Sequence, residues 1–250
     1  MGLIETEALI LKTYNLGDAD RIVVMLSREE GLVRGVAKGA KRLKSRFGGS
    51  LEPFSVIDLV YFQKEERELV SIRQIELVKS YFAKASNPNF LQKFAYLAEL
   101  LTEFAPPGEP NERLYRMAKV CLDAAAENSD DLESIALYFE LWILKLAGFL
   151  PDWQKCDDCK RMINTETDAG LQINFHLLCS HCQKSRGSHL ISSEQRLIFT
   201  TAQKVSPSQF VEFANNGQTN VKVVSNILRR IIAHILGKEI LSEKVLIAGS

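Results

Sequence analysis

The sequence predicts an α+β protein in which a small closed barrel of five strands precedes an all-helical domain that carries a four-cysteine module. Three observations predict this fold class. Short apolar segments separated by turns occupy the first 80 residues, helical periodicity begins near residue 86, and two Cys-x-x-Cys pairs follow. We therefore expect domains at 1–80 and 81–250, with the cysteine module at 151–190.

The predicted strands are rich in isoleucine, leucine and valine and have the length and spacing typical of a small barrel. They are expected at 8–12, 21–26, 32–37, 54–62 and 69–78. One long irregular stretch, 38–53, separates the third strand from the fourth. The other connections are short, as is usual between neighbouring antiparallel strands.

The predicted helices are recognised by capping residues or by proline at the first helical position. Their expected starts are Asn87-Pro88, Pro110, Asp130 with Glu133, Ser192 with Gln195, Ser206-Pro207 and Thr219. The last helix carries one apolar face and is expected to stop at Gly237.

Composition and charge limit the function. The chain has 250 residues, 46% of them hydrophobic, and a formal net charge of zero, so any nucleic-acid site must be a local patch. No apolar run approaches the ~20 residues that span a bilayer, and the first residues lack the order of a signal peptide. We expect a cytoplasmic protein with no membrane partner.

The cysteine module is expected to bind zinc. Cys156 and Cys159 form one Cys-x-x-Cys pair, and Cys179 and Cys182 form the other. This spacing is typical of two knuckles that close one tetrahedral site, and four thiolates leave no open position for water. The expected zinc is therefore structural, one ion per chain. Nearby histidines, His176 and His181, are alternative ligands, and four reduced core cysteines are the alternative without metal.

A basic run is the candidate nucleic-acid site. The segment 34–46 contains six basic residues and no acidic one, and its glycines allow close approach to a ligand. The six candidate DNA-binding residues are Arg34, Lys38, Lys41, Arg42, Lys44 and Arg46. The alternative is a solvated loop, with Phe47 either stacked on a base or folded onto the barrel.

Enzymatic activity is not expected. The chain lacks a phosphate-binding loop, a dinucleotide-binding glycine motif, a zinc-protease motif and a nucleophile elbow. Asp18 and Asp20 could suggest a carboxylate metal site, but aspartate beside Gly17 is more typical of a hairpin turn.

Several segments resemble the RecO family of bacterial DNA repair and recombination mediators. LGDADRIV at 16–23 with LSREEG at 26–31 is similar to the opening hairpin of that family. GVAKGAKR at 35–42 with LKS at 43–45 is similar to its basic segment, and LEPF at 51–54 to the start of its fourth strand. GFLP at 148–151 also fits, whereas Asp18 stands where many relatives have glutamate. The resemblance covers the full length.

The resemblance implies an N-terminal OB fold and a helical C-terminal domain interrupted by the zinc module. It implies binding to single- and double-stranded DNA and annealing of complementary strands. It also implies contact with the acidic C-terminal tail of single-stranded DNA-binding protein, and partnership with RecR in loading RecA. The expected location is the nucleoid. A zinc-ribbon transcription regulator is the alternative, and it would differ by binding preferred sequences.

Overall fold

The computed structural model describes residues 2–63, 68–128, 130–183, 189–217 and 219–240. Residues 184–188 of the predicted zinc module and 241–250 of the predicted helical domain lie outside this range. The described residues divide into two compact units, one formed by Met1–Ser129 with Ile240 and the other by Asp130–Glu239.

The predicted five-stranded barrel is confirmed within the described residues. Its strands are β1 (Gly2–Leu16), β2 (Asp20–Ser27), β3 (Gly31–Ala37), β4 (Ser55–Gln63) and β5 (Leu69–Ser80). They close in the order β1-β2-β3-β5-β4, and the neighbours are antiparallel except β3 and β5. These two run parallel over 34–36 and 69–71.

The first strand is longer than the predicted 8–12. Its first half pairs with β4, beginning with Gly2 opposite Gln63, and its second half pairs with β2 as far as Leu16 opposite Asp20. A register shift between Ile10 and Lys12 lies where β1 pairs with β2. Glu5, Thr6 and Glu7 interrupt the apolar residues of this first half, so a search for apolar runs misses it.

The long stretch between β3 and β4 closes the barrel interior. Phe47 and Leu51 are 2% and 1% exposed and belong to the apolar core of the barrel. The chain around them runs through hydrogen-bonded turns, among them Ser45 N–H to the Arg42 carbonyl at 2.9 Å. Of the two interpretations of Phe47, burial in the barrel is therefore confirmed.

Two helices share the first unit with the barrel: α1 (Pro88–Phe104), which follows a short 3-10 helix at Phe82–Ser86, and α2 (Glu112–Glu127). Asn87 caps α1 as predicted. The second helix begins after Asn111 instead of at Pro110, because the Asn111 side chain accepts the Leu114 N–H.

Polar contacts hold α2 against the barrel. Tyr115 and Lys119 both donate to Oε1 of Glu7 on β1, and Arg28 forms an ion pair with Glu112. Burial raises the pKa of the Glu7 carboxyl, but the hydrogen bonds from Lys119 and Tyr115 outweigh it and hold that pKa below its usual value.

In the second unit, α3 (Leu132–Leu146) packs against α4 (Ser193–Ala202), α5 (Pro207–Asn216) and α6 (Val221–Leu236). The predicted caps of α4 and α5 are confirmed, since Ser192 and Ser206 each form a capping box with the glutamine three residues later.

The predicted cap of α3 at Asp130 with Glu133 is wrong, and the helix begins after Asp131. The Asp131 side chain instead accepts a hydrogen bond from Asn215 on α5. A contact with a neighbouring helix therefore takes the place of the local cap.

A buried charge lies between α3 and α6. Glu140 is 0% exposed and accepts hydrogen bonds from Ser225 at 2.6 Å and Arg229 at 2.7 Å. With these two donors, the carboxylate fixes the register of the two helices, because a shifted packing would leave it without donors.

None of the described helices has both the length and the hydropathy needed to span a bilayer.

Candidate metal centre and nucleic-acid interface

The two cysteine pairs converge in the second unit. Sγ atoms of Cys156, Cys159, Cys179 and Cys182 all lie within 4.8 Å of one another, a grouping that could hold a metal ion. Cys156 is buried and the other three are half-buried. The predicted set of four cysteines is thus brought together in space.

Backbone geometry explains how each pair forms a knuckle. Cys156 N–H donates to the Arg161 carbonyl, and Lys160 N–H donates back to the Cys156 carbonyl. Lys160 has a φ of 59°, which turns the chain sharply after Cys159. In the second knuckle Cys182 N–H donates to the Cys179 carbonyl at 3.0 Å.

The strands β6 (Ala169–Leu171), β7 (Leu177–Leu178) and β8 (His189–Ile191) bring the knuckles together. They pair in the order β7-β6-β8, and β7 ends directly before Cys179. Asp157 N–H in the first knuckle donates to the Leu177 carbonyl of β7 at 2.8 Å. This bond joins the two knuckles through the backbone.

The environment of the thiols suits a cation. Burial raises the pKa of the Cys156 thiol, but backbone hydrogen bonds from Cys179, Cys159 and Asp158 outweigh it and lower that pKa. Burial, with hydrogen bonds to the neighbouring thiols, raises the pKa of Cys182. Four crowded thiols cannot all ionise alone, so a bound cation is the natural compensation.

The alternative histidine ligands are not part of this grouping. In the part of the chain that the structure describes, the metal-competent cluster consists of the cysteines. His176 instead faces a carboxylate, with Nδ1 3.7 Å from Oδ1 of Asp157.

Arg196 anchors the first knuckle to α4. Its side chain is 4% exposed. The guanidinium donates to the carbonyl oxygens of Trp153, Ile163, Asn164 and Thr167, at 2.8 to 3.2 Å. The ring of Trp153 stacks on Phe199 of α4 with centroids 4.2 Å apart. The segment that carries Cys156 and Cys159 is thereby fixed on both sides, a role that sequence patterns did not indicate.

Replacing Arg196 with methionine is expected to lower the free energy of unfolding by about 3 kcal/mol. Methionine keeps most of the apolar stem but leaves buried carbonyl oxygens without their donor. Urea unfolding of the full chain measures the change. Lys204→Met, at an exposed position two residues after the last residue of α4, is the control and should change stability by less than about 0.5 kcal/mol. Equal stability of the two variants would contradict the anchoring role.

The structure places the six predicted DNA-binding residues on the barrel unit, all of them exposed. Arg34 lies on β3, and the others follow it in the irregular stretch that closes the barrel. We name residues 38–46 the basic loop. Its exposed cations lie outside the barrel while Phe47, the next residue, points into the core.

Hydrogen bonds hold the basic loop at both ends. At its start, Gly39 N–H donates to Asp20 at 2.8 Å and Lys41 N–H donates to the Ala19 carbonyl at 2.9 Å. At its end, Arg46 donates to the Ile72 carbonyl at 3.3 Å and lies over the Phe47 ring. Arg46 therefore has a structural role beside any contact with a ligand.

A cleft of about 680 Å³ opens beside the basic loop, where β3 and β5 cease to pair. Its lining includes the apolar residues Leu16, Val36 and Phe62 together with side chains of both charges. The charged lining residues are Asp20, Lys38, Arg46, Glu68 and Arg73. Arg73 was not predicted as a site residue, because a single exposed arginine on a strand has no distinguishing sequence signal.

Comparisons with known proteins match two long segments of the chain. The family model described as "Recombination protein O N terminal" matches residues 1–81, and "Recombination protein O C terminal" matches residues 94–243. The N-terminal match coincides with the barrel, and the C-terminal match contains the cysteine module.

Three curated relatives share the name "DNA repair protein RecO". The protein from Koribacter versatilis is 34% identical over 62% of this chain and 63% of its own length. That from Syntrophobacter fumaroxidans is 31% identical over 69% of this chain and 68% of its own. The protein from Syntrophus aciditrophicus is 26% identical over 97% of this chain and 94% of its own length. The chain thus spans less than two thirds of the Koribacter protein but nearly all of the Syntrophus protein.

Proposed function

This chain belongs to the RecO family, and on that premise we propose that it is a recombinational DNA repair mediator. It binds single- and double-stranded DNA and anneals complementary strands. Together with RecR it helps load RecA onto DNA coated by single-stranded DNA-binding protein. It acts in the cytoplasm, on the nucleoid, and without catalysing a reaction.

The observation that carries this proposal is the concentration of charge on the basic loop. The protein as a whole is neutral, yet the exposed loop has cations and no acidic residue. Lysine and arginine in such a patch gain affinity by releasing counterions from phosphates, without reading bases. The neighbouring cleft, whose lining includes apolar side chains, can accept an unstacked base.

We propose that the cysteine cluster binds one zinc ion in a structural role. Four thiolate ligands suit zinc, and they leave no position for a reacting water. Cys156, Cys159, Cys179 and Cys182 would hold the ion. The ion would supply the cross-link that joins the two knuckles, while Arg196 and Trp153 hold the module on α4.

Docking of the tail of single-stranded DNA-binding protein is assigned to the helical domain on the family resemblance. Arg229 does not support this assignment, because its side chain is 15% exposed and bound to Glu140. Arg230 is exposed and lies 5.7 Å from the Phe175 ring centroid.

Annealing of complementary oligonucleotides tests the proposed function. The protein should accelerate annealing by about tenfold or more without ATP, because neutralising phosphates reduces the repulsion between strands. The acceleration should persist when the strands are coated with single-stranded DNA-binding protein, and it should be alike for unrelated sequences. A fluorescence-quenching assay measures it, with heat-denatured protein as control. Dependence on ATP or on one preferred sequence would contradict the mediator role.

A further inference from the structure

Leu43 is an apolar side chain at the tip of the basic loop. It has 102% of its reference surface exposed, so it packs against nothing in the described structure. It lies between Arg42 and Lys44, both also exposed. An isolated exposed leucine is ordinary on a protein surface. Leu43 is unusual because it lies between two exposed cations in the middle of the basic loop.

Backbone hydrogen bonds hold Leu43 outward. Ser45 N–H donates to the Arg42 carbonyl at 2.9 Å, which makes Leu43 and Lys44 the two central residues of a tight turn. Such positions usually carry polar or turn-forming residues. The preceding turn is closed by Arg42 N–H on the Gly39 carbonyl at 3.1 Å.

The base of the loop is anchored, so the tip cannot easily fold back onto the barrel. Gly39 is bonded to Asp20 on one side, and Phe47 is buried in the barrel core on the other. Leu43 therefore stays exposed in the free protein, and its removal leaves no hole in the core.

We propose that Leu43 contacts an unpaired nucleobase when the flanking cations bind the phosphates of a single strand. The inference rests on the proposed DNA binding and adds a base contact to it. The basic run is complementary to a polyanion, and a single strand combines phosphates with apolar base faces in reach of one turn. Leucine is among the side chains that proteins insert beside bases. The contact would hold a base away from its neighbours until a complementary strand arrives.

The test compares two ligands with the same phosphates. Leu43→Ser should weaken binding to oligo(dT) about fivefold, equivalent to ~1 kcal/mol. It should leave binding to an abasic oligonucleotide of equal length unchanged, because that ligand has no bases to contact. Fluorescence anisotropy of the full chain at fixed salt measures both affinities. The salt slope should stay the same, since no charge is removed.

Three further variants serve as controls. Ile173→Ser removes an apolar side chain of nearly the same exposure, 98%, in the cysteine module and should change neither affinity. Lys44→Gln should weaken the binding of both oligonucleotides and lower the dependence of affinity on salt, as expected for a phosphate contact. Leu43→Met keeps an apolar group and should restore binding of oligo(dT) to within about twofold.

The outcomes separate this inference from the proposed function. The base contact would be wrong if Leu43→Ser bound oligo(dT) as tightly as the parent, or if its affinity fell equally for oligo(dT) and for the abasic oligonucleotide. Either result would leave the proposed DNA binding intact. If the parent protein bound neither ligand, the proposed DNA binding would itself fail.

Discussion

Replacing Cys156 and Cys179 with serine is expected to abolish metal binding and to unfold the cysteine module. The change removes one ligand from each knuckle of a cluster whose sulfurs lie within 4.8 Å of one another. Structural zinc contributes on the order of 10 kcal/mol of binding free energy, and that energy is coupled to folding. Because Arg196 and Trp153 attach the module to α4, the loss should extend to the helices of the second unit.

Elemental analysis and thermal unfolding of the full chain measure the two effects. The parent should contain about one zinc per chain when purified without chelator. Cys121→Ala is the matched control, because this cysteine is buried on α2 in the first unit and lies outside the cluster. The Cys121→Ala protein should retain the metal. A parent protein without metal would refute the site, and metal loss with unchanged melting would refute its structural role.

Neutralising the basic loop is expected to have the largest effect on DNA binding. Lys38, Lys41, Arg42 and Lys44 are replaced together by glutamine. Each phosphate contact that is lost should lower the slope of log affinity against log salt by roughly 0.7 for single strands. The loss should be similar for unrelated sequences, since phosphate contacts carry no sequence information.

The loop should remain folded in this variant. The four side chains are exposed, and the apolar residues that seat the loop, Phe47 and Leu51, are retained. Arg46 is left in place because it donates to Ile72, and Arg34 because it lies on β3. Circular dichroism checks the fold, and anisotropy across a salt series measures binding.

A second quadruple variant controls for the change in total charge. It replaces exposed basic residues elsewhere by glutamine, at Lys84, Arg113, Arg116 and Lys222. This variant should bind DNA nearly as tightly as the parent. If the two variants lost affinity equally, the basic loop would be a solvated surface and general charge would account for binding.

Local sequence signals were sufficient where the neighbouring residues decide the outcome. The Asn87-Pro88 start of α1 and the capping boxes at Ser192 and Ser206 are confirmed, because a cap is satisfied by backbone N–H groups within three residues. The Cys-x-x-Cys spacing likewise predicted the cluster of four sulfurs, since two tight knuckles present their thiols together. Zinc and the domain boundary at residue 80 stay predictions.

Local sequence signals did not predict the outcome where a residue distant in the chain forms the contact. Asp131, and not the predicted Asp130, is the N-cap of α3, and its side chain accepts a hydrogen bond from Asn215 on another helix instead of from its own helix. Arg229 has no sequence signal that would indicate a buried partner, yet a buried glutamate on α3 binds it. The first half of β1 was missed because polar residues at positions 5–7 interrupt its apolar pattern, although its backbone pairs with β4.

The sequence by itself determined the barrel, the order of the helices, the four-cysteine module and the family, because periodicity, capping and ligand spacing are properties of neighbouring residues. Only the tertiary structure decided that Phe47 fills the barrel, that Arg196 anchors the cysteine module and that Leu43 stands free between cations. These outcomes depend on which distant groups meet in space. A buried carbonyl needs a donor and a barrel interior needs filling wherever in the chain the partner lies.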